Sequence, residues 1–65
     1  MKVQLINTIY DVDGNVVAET GEIFTVKNAV KIMGKEPLEV YEIVNGEYTG
    51  FCLGKIDCVN LSMLN

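Results

Sequence analysis

The chain has 65 residues, a formal net charge of −4 and no histidine. This length leaves room for one domain, residues 1–65, near the lower limit for folding around a single core without disulfides or metals. Nine acidic residues face five lysines and no arginine, which argues against a general nucleic-acid binder because phosphate affinity depends on concentrated Lys and Arg. Hydrophobic residues make up 49% of the chain, a share that favours a packed core over intrinsic disorder.

The first seven residues turn polar too soon to supply the apolar run of roughly 7 to 15 residues that a signal peptide needs. No later stretch is long enough to predict a membrane span. We therefore expect a cytoplasmic protein. Two cysteines, Cys52 and Cys58, are too few for a disulfide framework or, without histidine, for a four-ligand zinc site. We interpret them as small packed thiols, and the sequence leaves open whether they are free or paired.

Two dipeptides, Asp13-Gly14 and Asn45-Gly46, are typical of two-residue type I′ turns between antiparallel strands. β-branched and aromatic residues flank both of them, as strands prefer. The sequence therefore predicts two tight hairpins.

The segments between and after these hairpins are also predicted as strands. Residues 21–26 predict a strand that begins after a glycine turn. Residues 27–36 fit either a helix face or a strand face, and we favour the extended arm of a hairpin because six or seven residues make a marginal helix. Gly34 and Pro37 end that segment, and apolar alternation in 58–64 predicts a final short strand.

Five short strands of this kind form a small barrel, and three segments resemble motifs of the SH3-like barrel superfamily. TIYDVDG (8–14) is similar to the ALYDY motif, and GEIFTV (21–26) is similar to the G-D-x-I-x-V strand. GFCLGKIDCV (50–59) resembles the G-[YF]-[IF]-P-S-N-Y-V segment with its short 3₁₀ turn. The resemblance covers most of the chain outside 27–38. It implies an all-β, five-stranded SH3-like barrel with two tight hairpins.

The residues that form the superfamily's groove for proline-rich peptides are mostly missing. That groove is built from two tyrosines of the first motif, a tryptophan, and the proline and tyrosine of the last motif. Only Tyr10 matches, because Val12, Leu53 and Cys58 occupy the other matched positions and the chain has no tryptophan. The resemblance therefore implies the fold without this groove.

The same resemblance implies that Cys52 and Val59 point into the core. Pairing across Asn45-Gly46 places Tyr41 and Ile43 on the same buried face as Cys52, since opposed residues of a hairpin share a side. The other face would then form an exposed apolar strip containing Val40, Val44 and Phe51.

Residues 11–22 place oxygen-bearing side chains at four positions of a calcium-binding loop: Asp11, Asp13, Asn15 and Glu22. Such a loop needs glycine at its sixth position, where this chain has Val16, and helices on both sides. We therefore interpret the segment as a hairpin tip with solvated acids. We expect no metal and no cofactor.

Catalysis is not predicted either. No histidine is available to activate a cysteine, serine or threonine nucleophile. The paired carboxylates Asp11 and Asp13 lie at a loop tip instead of in a closed pocket. We therefore expect no enzymatic activity and no catalytic residues.

Three lysines at a spacing of four share one side of their segment, whether it is strand or helix: Lys27, Lys31 and Lys35. A basic ridge of this kind would suit a nucleic-acid or ribosome-associated barrel. We favour a solvated face whose lysines pair across the hairpin with three acids: Glu36, Glu39 and Glu42.

The core of so short a chain cannot enclose all five aromatic residues. We expect Tyr10 and Phe51 to stay outside and to anchor a protein partner. Asp11, Asp13 and Glu19 would give charge complementarity to a basic surface.

The predicted function is therefore a small non-enzymatic acidic protein-binding module. By fold-level analogy, it resembles small accessory proteins of bacteria, phages or prophages that dock on another protein and modulate it. A homo-oligomer formed through the apolar strip is a variant of this prediction. The alternative is a nucleic-acid-associated barrel that uses the lysine ridge.

Overall fold

A computed structural model describes residues 1–63, which form seven β-strands and two 3₁₀ turns. The strands are β1 (Lys2–Leu5), β2 (Ile9–Tyr10), β3 (Val16–Ala18), β4 (Ile23–Met33), β5 (Glu36–Ile43), β6 (Cys52–Gly54) and β7 (Cys58–Asn60). The 3₁₀ turns span Lys55–Asp57 and Leu61–Met63. The all-β prediction is confirmed. Residues 1–63 contain no helix long and apolar enough to cross a membrane.

Five strands form one sheet in the order β6-β5-β4-β1-β7, with every neighbouring pair antiparallel, while β2 and β3 form a separate ribbon. The long strand β4 pairs with β1 through its first residues and with β5 through the rest. The end strands β6 and β7 are consecutive in the chain, but within residues 1–63 they do not pair with each other. A closed barrel is therefore not confirmed.

The segment 27–36 is extended, as predicted, and forms most of a long hairpin between β4 and β5. The pairing of Met33 with Glu36 leaves Gly34 and Lys35 as a two-residue turn. Gly34 has φ +66°, and among residues 1–63 only glycines have positive φ, so the turn is type II′. This tight hairpin of the sheet was not predicted from the sequence.

The first predicted type I′ turn is wrong in its type. Gly14 has φ +85° but Asp13 does not have positive φ, whereas type I′ requires it at both positions. The Gly14 amide donates to the Asp11 carbonyl (3.1 Å), and the Asp11 amide donates to the Asn15 carbonyl (2.9 Å). The hairpin therefore closes through a type I turn followed by a glycine in the left-handed region.

The second predicted tight hairpin, at Asn45-Gly46, is wrong. β5 ends at Ile43 and β6 begins at Cys52, so residues 44–51 form a longer loop. Gly50 closes this loop with φ +92°, and its amide donates to the Ile43 carbonyl (2.8 Å). The chain thus turns back later than the Asn-Gly dipeptide indicates.

This longer loop changes which side chains of β6 enter the core. Tyr41 pairs with Leu53, three positions from Gly50, which a two-residue turn at Asn45-Gly46 would place opposite Tyr41. An odd shift moves every side chain of a strand to the other face. The core side chains are Val3, Leu5, Ala18, Val26, Tyr41, Ile43, Leu53 and Cys58. The prediction is confirmed for Tyr41 and Ile43.

Three predicted positions in this part of the chain are wrong. Cys52 and Val59 are half-buried instead of buried, because their neighbours Leu53 and Cys58 take the core positions. Val40, predicted on the exposed strip, is 4% exposed. The exposed apolar strip that was expected to form a homo-oligomer therefore does not include Val40.

Both cysteines are free thiols. Burial raises the pKa of the Cys58 thiol, and the negative charge of the neighbouring Asp57 raises this pKa further. Since the thiolate is the reactive form, Cys58 has the character of a structural cysteine.

Candidate protein-binding surface

The tip of the β2–β3 hairpin is organised by the side chain of Asp11. Its Oδ1 atom accepts hydrogen bonds from the backbone amides of Asp13 and Asn15, both at 2.9 Å. These bonds favour the charged carboxylate, and the pKa of Asp11 is lowered, with the Asn15 amide as the largest cause. Asp11 therefore shapes the loop as well as contributing charge to it.

We expect the tip to loosen as Asp11 is protonated. A carboxyl group with a lowered pKa in the folded state stabilises that state above its unfolded pKa, and this stabilisation is lost as the pH falls through the folded pKa. In an NMR titration, the amide signals of Asp13 and Asn15 should shift with a midpoint below the ordinary aspartate pKa. Asp11→Asn keeps an acceptor oxygen and should abolish this titration. If both amides titrated unchanged in Asp11→Asn, Asp11 would not hold the loop.

Glu19 is not part of the tip, although the sequence analysis grouped it there. It follows β3, at the opposite end of that strand from Asp11 and Asp13. Its carbonyl accepts from the Glu22 amide (3.1 Å), its own amide donates to the Glu22 carboxylate, and Gly21 between them has φ +98°. Glu19 is exposed, but it belongs to the turn that leads into β4.

Three large apolar side chains project from the same hairpin beside the acids. Tyr10 is 60% exposed, and Val16, its partner across the ribbon, is 50% exposed. Val12, between the two strands, is fully exposed. Sequence reasoning selected Tyr10 but missed both valines, whose signal was an apolar residue at every second position toward the turn. We call Tyr10, Asp11, Val12, Asp13 and Val16 the hairpin-tip surface.

Phe51 lies in the separate loop 44–51 and is 38% exposed. Its amide donates to the Tyr48 carbonyl (2.9 Å), and its carbonyl accepts from the Ile43 amide (2.9 Å). The Tyr48 ring packs edge to face against Phe24, with ring centroids 6.0 Å apart. Tyr10 and Phe51 therefore both reach solvent, from two different segments of the fold.

The lysine ridge is partly neutralised within the chain. Lys27 lies opposite Glu42, and its Nζ is 3.8 Å from a carboxylate oxygen of that residue. Glu39 pairs instead with Lys55 (3.9 Å), whose ammonium lies 5.0 Å from the centre of the Tyr41 ring. Such exposed pairs contribute little stability, but they reduce the positive charge that the β4–β5 hairpin presents.

The part of the chain that the structure describes has no enclosed binding site. Residues 1–63 contain no pocket, and no three His, Cys, Asp or Glu side chains among them are grouped as metal ligands would be. Comparisons with family models, curated proteins and solved structures gave no match to this chain. Within residues 1–63, the exposed surfaces are therefore the candidates for a functional site.

Proposed function

We propose that this chain is a small non-enzymatic, acidic protein-binding module of the SH3-like barrel class. It docks on another protein, through the hairpin-tip surface, and modulates it. A bacterial, phage or prophage accessory protein of the cytoplasm is the setting that suits such a module.

The strand arrangement supports the SH3-like part of this proposal. The order β6-β5-β4-β1-β7 uses one long strand, β4, to connect the two halves of the sheet. A 3₁₀ turn links β6 directly to β7, as the resemblance of residues 50–59 implies. β2 lies within residues 8–14, the segment that resembles the first motif of that superfamily.

The observation that carries the binding proposal is the composition of the hairpin-tip surface. The surface leaves three apolar side chains, Tyr10, Val12 and Val16, in contact with water, which is unfavourable for apolar groups. The acids Asp11 and Asp13 lie among them. An exposed aromatic side chain surrounded by charged residues is typical of protein–protein interfaces. Since the acids would complement a basic surface, we expect a partner with lysine or arginine around an apolar hollow.

The lysine ridge supports a nucleic-acid function less well. Its first lysine pairs with Glu42, and the chain carries a net charge of −4. Away from the immediate surroundings of the ridge, the net negative charge of the chain would repel a phosphate backbone.

We expect Tyr10→Ala to weaken partner binding about tenfold or more, as truncation of an aromatic anchor does. The measurement is an affinity pulldown from nuclease-treated bacterial lysate, followed by titration of the retained protein. Ile56→Ala is the matched control, since Ile56 is 85% exposed on the 3₁₀ turn Lys55–Asp57.

A protein that is retained by wild type and by Ile56→Ala, but lost with Tyr10→Ala, supports the proposal. Equal loss with both variants would show unspecific apolar adsorption. Recovery of nucleic acid alone, in samples without nuclease and with steep salt dependence, would make the lysine ridge the site and contradict the proposal.

A further inference from the structure

The strand β4 extends far beyond its neighbour on one side. β1 pairs only with Ile23, Phe24 and Thr25, whereas β5 pairs with β4 up to Met33. From Lys27 onward, β4 therefore has a strand on one side only within the described residues. Its other side is an open sheet edge, which we call the β4 edge.

The backbone groups at this edge are directed outward. The Val26 amide donates to the Met1 carbonyl (2.8 Å), on the β1 side. Ile43, which pairs with Val26, uses its own amide and carbonyl toward residues 50 and 51, on the far side of β5. Since these directions alternate along a strand, every second residue after Val26 presents its N–H and C=O to the β4 edge: Asn28, Val30 and Ile32. Among residues 1–63, no strand pairs with them on that side, and no loop or turn backbone group bonds to them there.

The side chains of the same residues continue the core face of the sheet into solvent. Val26 is buried in the core. Val30 and Ile32 lie on the same face of β4, four and six residues after Val26, and they are 61% and 69% exposed. Their apolar surface and the unpaired backbone lie side by side, an arrangement that favours the addition of another strand.

We propose that two copies of this chain pair through their β4 edges. The two strands run antiparallel about a two-fold axis at Val30, so that Val30 faces the Val30 of the second copy and Asn28 faces its Ile32. Each pair exchanges both backbone hydrogen bonds, and the apolar side chains of both copies form one cluster. This surface is separate from the hairpin-tip surface, so the inference does not depend on the proposed function.

The β4 edge is self-complementary in this register, because apolar Val30 faces Val30 and no lysine directly faces another lysine. Lys27 and Lys31 lie on the opposite face of the strand from Val30. In the register centred on Val30, Lys31 faces Ala29 of the other copy. A shift by two residues in one direction places Lys31 opposite Lys31 of the second copy. A shift by two residues in the other direction places Lys31 opposite Lys27 of the second copy. Like charges directly opposed are unfavourable, so both neighbouring registers are disfavoured.

The other sheet edges are less suited to pairing. β5 also extends beyond its outer neighbour β6, but the exposed part contains Pro37, which has no N–H to donate. The outer strands β6 and β7 have three residues each. A two-fold pair uses the β4 edge of both copies, so the assembly closes at two chains instead of growing into a fibre.

The test is the mass of the full chain in solution, measured by sedimentation equilibrium from micromolar to millimolar concentration. We expect a reversible dimer, and Val30→Lys should raise its dissociation constant about tenfold or more, because it opposes two lysines at the axis. Within one chain Val30 lies opposite Glu39, so the lysine is compatible with the folded monomer. Ile56→Lys adds the same charge on an exposed site away from the β4 edge and should leave the dimer unchanged.

A wild-type chain that stays monomeric over the whole range overturns the inference, as does a dimer that Val30→Lys does not weaken. Circular dichroism of each variant confirms that it is folded. Cysteine crosslinking then tests the register in the Cys52→Ala background. Val30→Cys should form a disulfide-linked dimer under mild oxidation, since directly opposed residues of such a pair lie about 5.5 Å apart. Faster linkage of Lys31→Cys would show a different register and contradict the proposed axis.

Discussion

Leu53→Ala is expected to destabilise the fold by about 2–5 kcal/mol, the usual effect of truncating a fully buried leucine. Leu53 is 1% exposed and lies in the single core cluster. Small domains have a free energy of unfolding of only about 5–15 kcal/mol. Urea denaturation should therefore show a large drop in the midpoint, or a chain that is unfolded without urea.

The neighbouring residue provides the control. Cys52 is half-buried and lies on the other face of β6, so Cys52→Ala should cost less than about 1 kcal/mol, as partly exposed positions do. If Cys52→Ala cost more than Leu53→Ala, the register between β5 and β6 would be that of a tight Asn-Gly hairpin, contrary to the structure.

Gly50→Ala is expected to cost about 1–2 kcal/mol, because an L-residue is strained at positive φ. Gly50 has φ +92°, and a Cβ atom added there would meet no other atom within 4 Å. The cost therefore comes from the backbone alone. The free energy of unfolding, measured by urea denaturation, tests this value.

Chemical synthesis supplies a matched control for this substitution. D-alanine at position 50 has the same side chain but prefers positive φ, so it should be neutral or slightly stabilising relative to glycine. Equal destabilisation by both enantiomers would mean that the added methyl group, and not the backbone conformation, is responsible.

The sequence predicted the strands better than the turns between them. The short length of residues 27–36 favoured an extended arm over a helix, and the resemblance of residues 50–59, combined with pairing across the hairpin, predicted Tyr41 and Ile43 as core residues. The turns depended on backbone angles that a dipeptide only indicates statistically: Asn45-Gly46 fits a two-residue turn, yet the sheet places one at Gly34. Because the face of a strand alternates at every residue, the longer loop places Leu53 on the core face of β6 instead of Cys52, which the resemblance had placed there.

The exposure of the two aromatic residues in the candidate site was predictable from the sequence. Counting aromatic residues against the available core selected Tyr10 and Phe51, which both reach solvent. The β4 edge was not predictable in this way. Val30 and Ile32 have the pattern of buried strand residues, and their exposure follows from the lengths of β1 and β6, which are set by pairing across the whole sheet.

The order of the sheet also determines when the chain can fold during synthesis. β1 contributes Val3 and Leu5 to the core, and its outer neighbour is β7, with Leu5 opposite Cys58 and Val3 opposite Asn60. β1 therefore stays without one neighbour until residues 58–60 have emerged from the ribosome. Since contacts between distant residues form slowly, we expect β1 to stay open to chaperones during synthesis until β7 is available, and the β1–β7 pair to form in a late step.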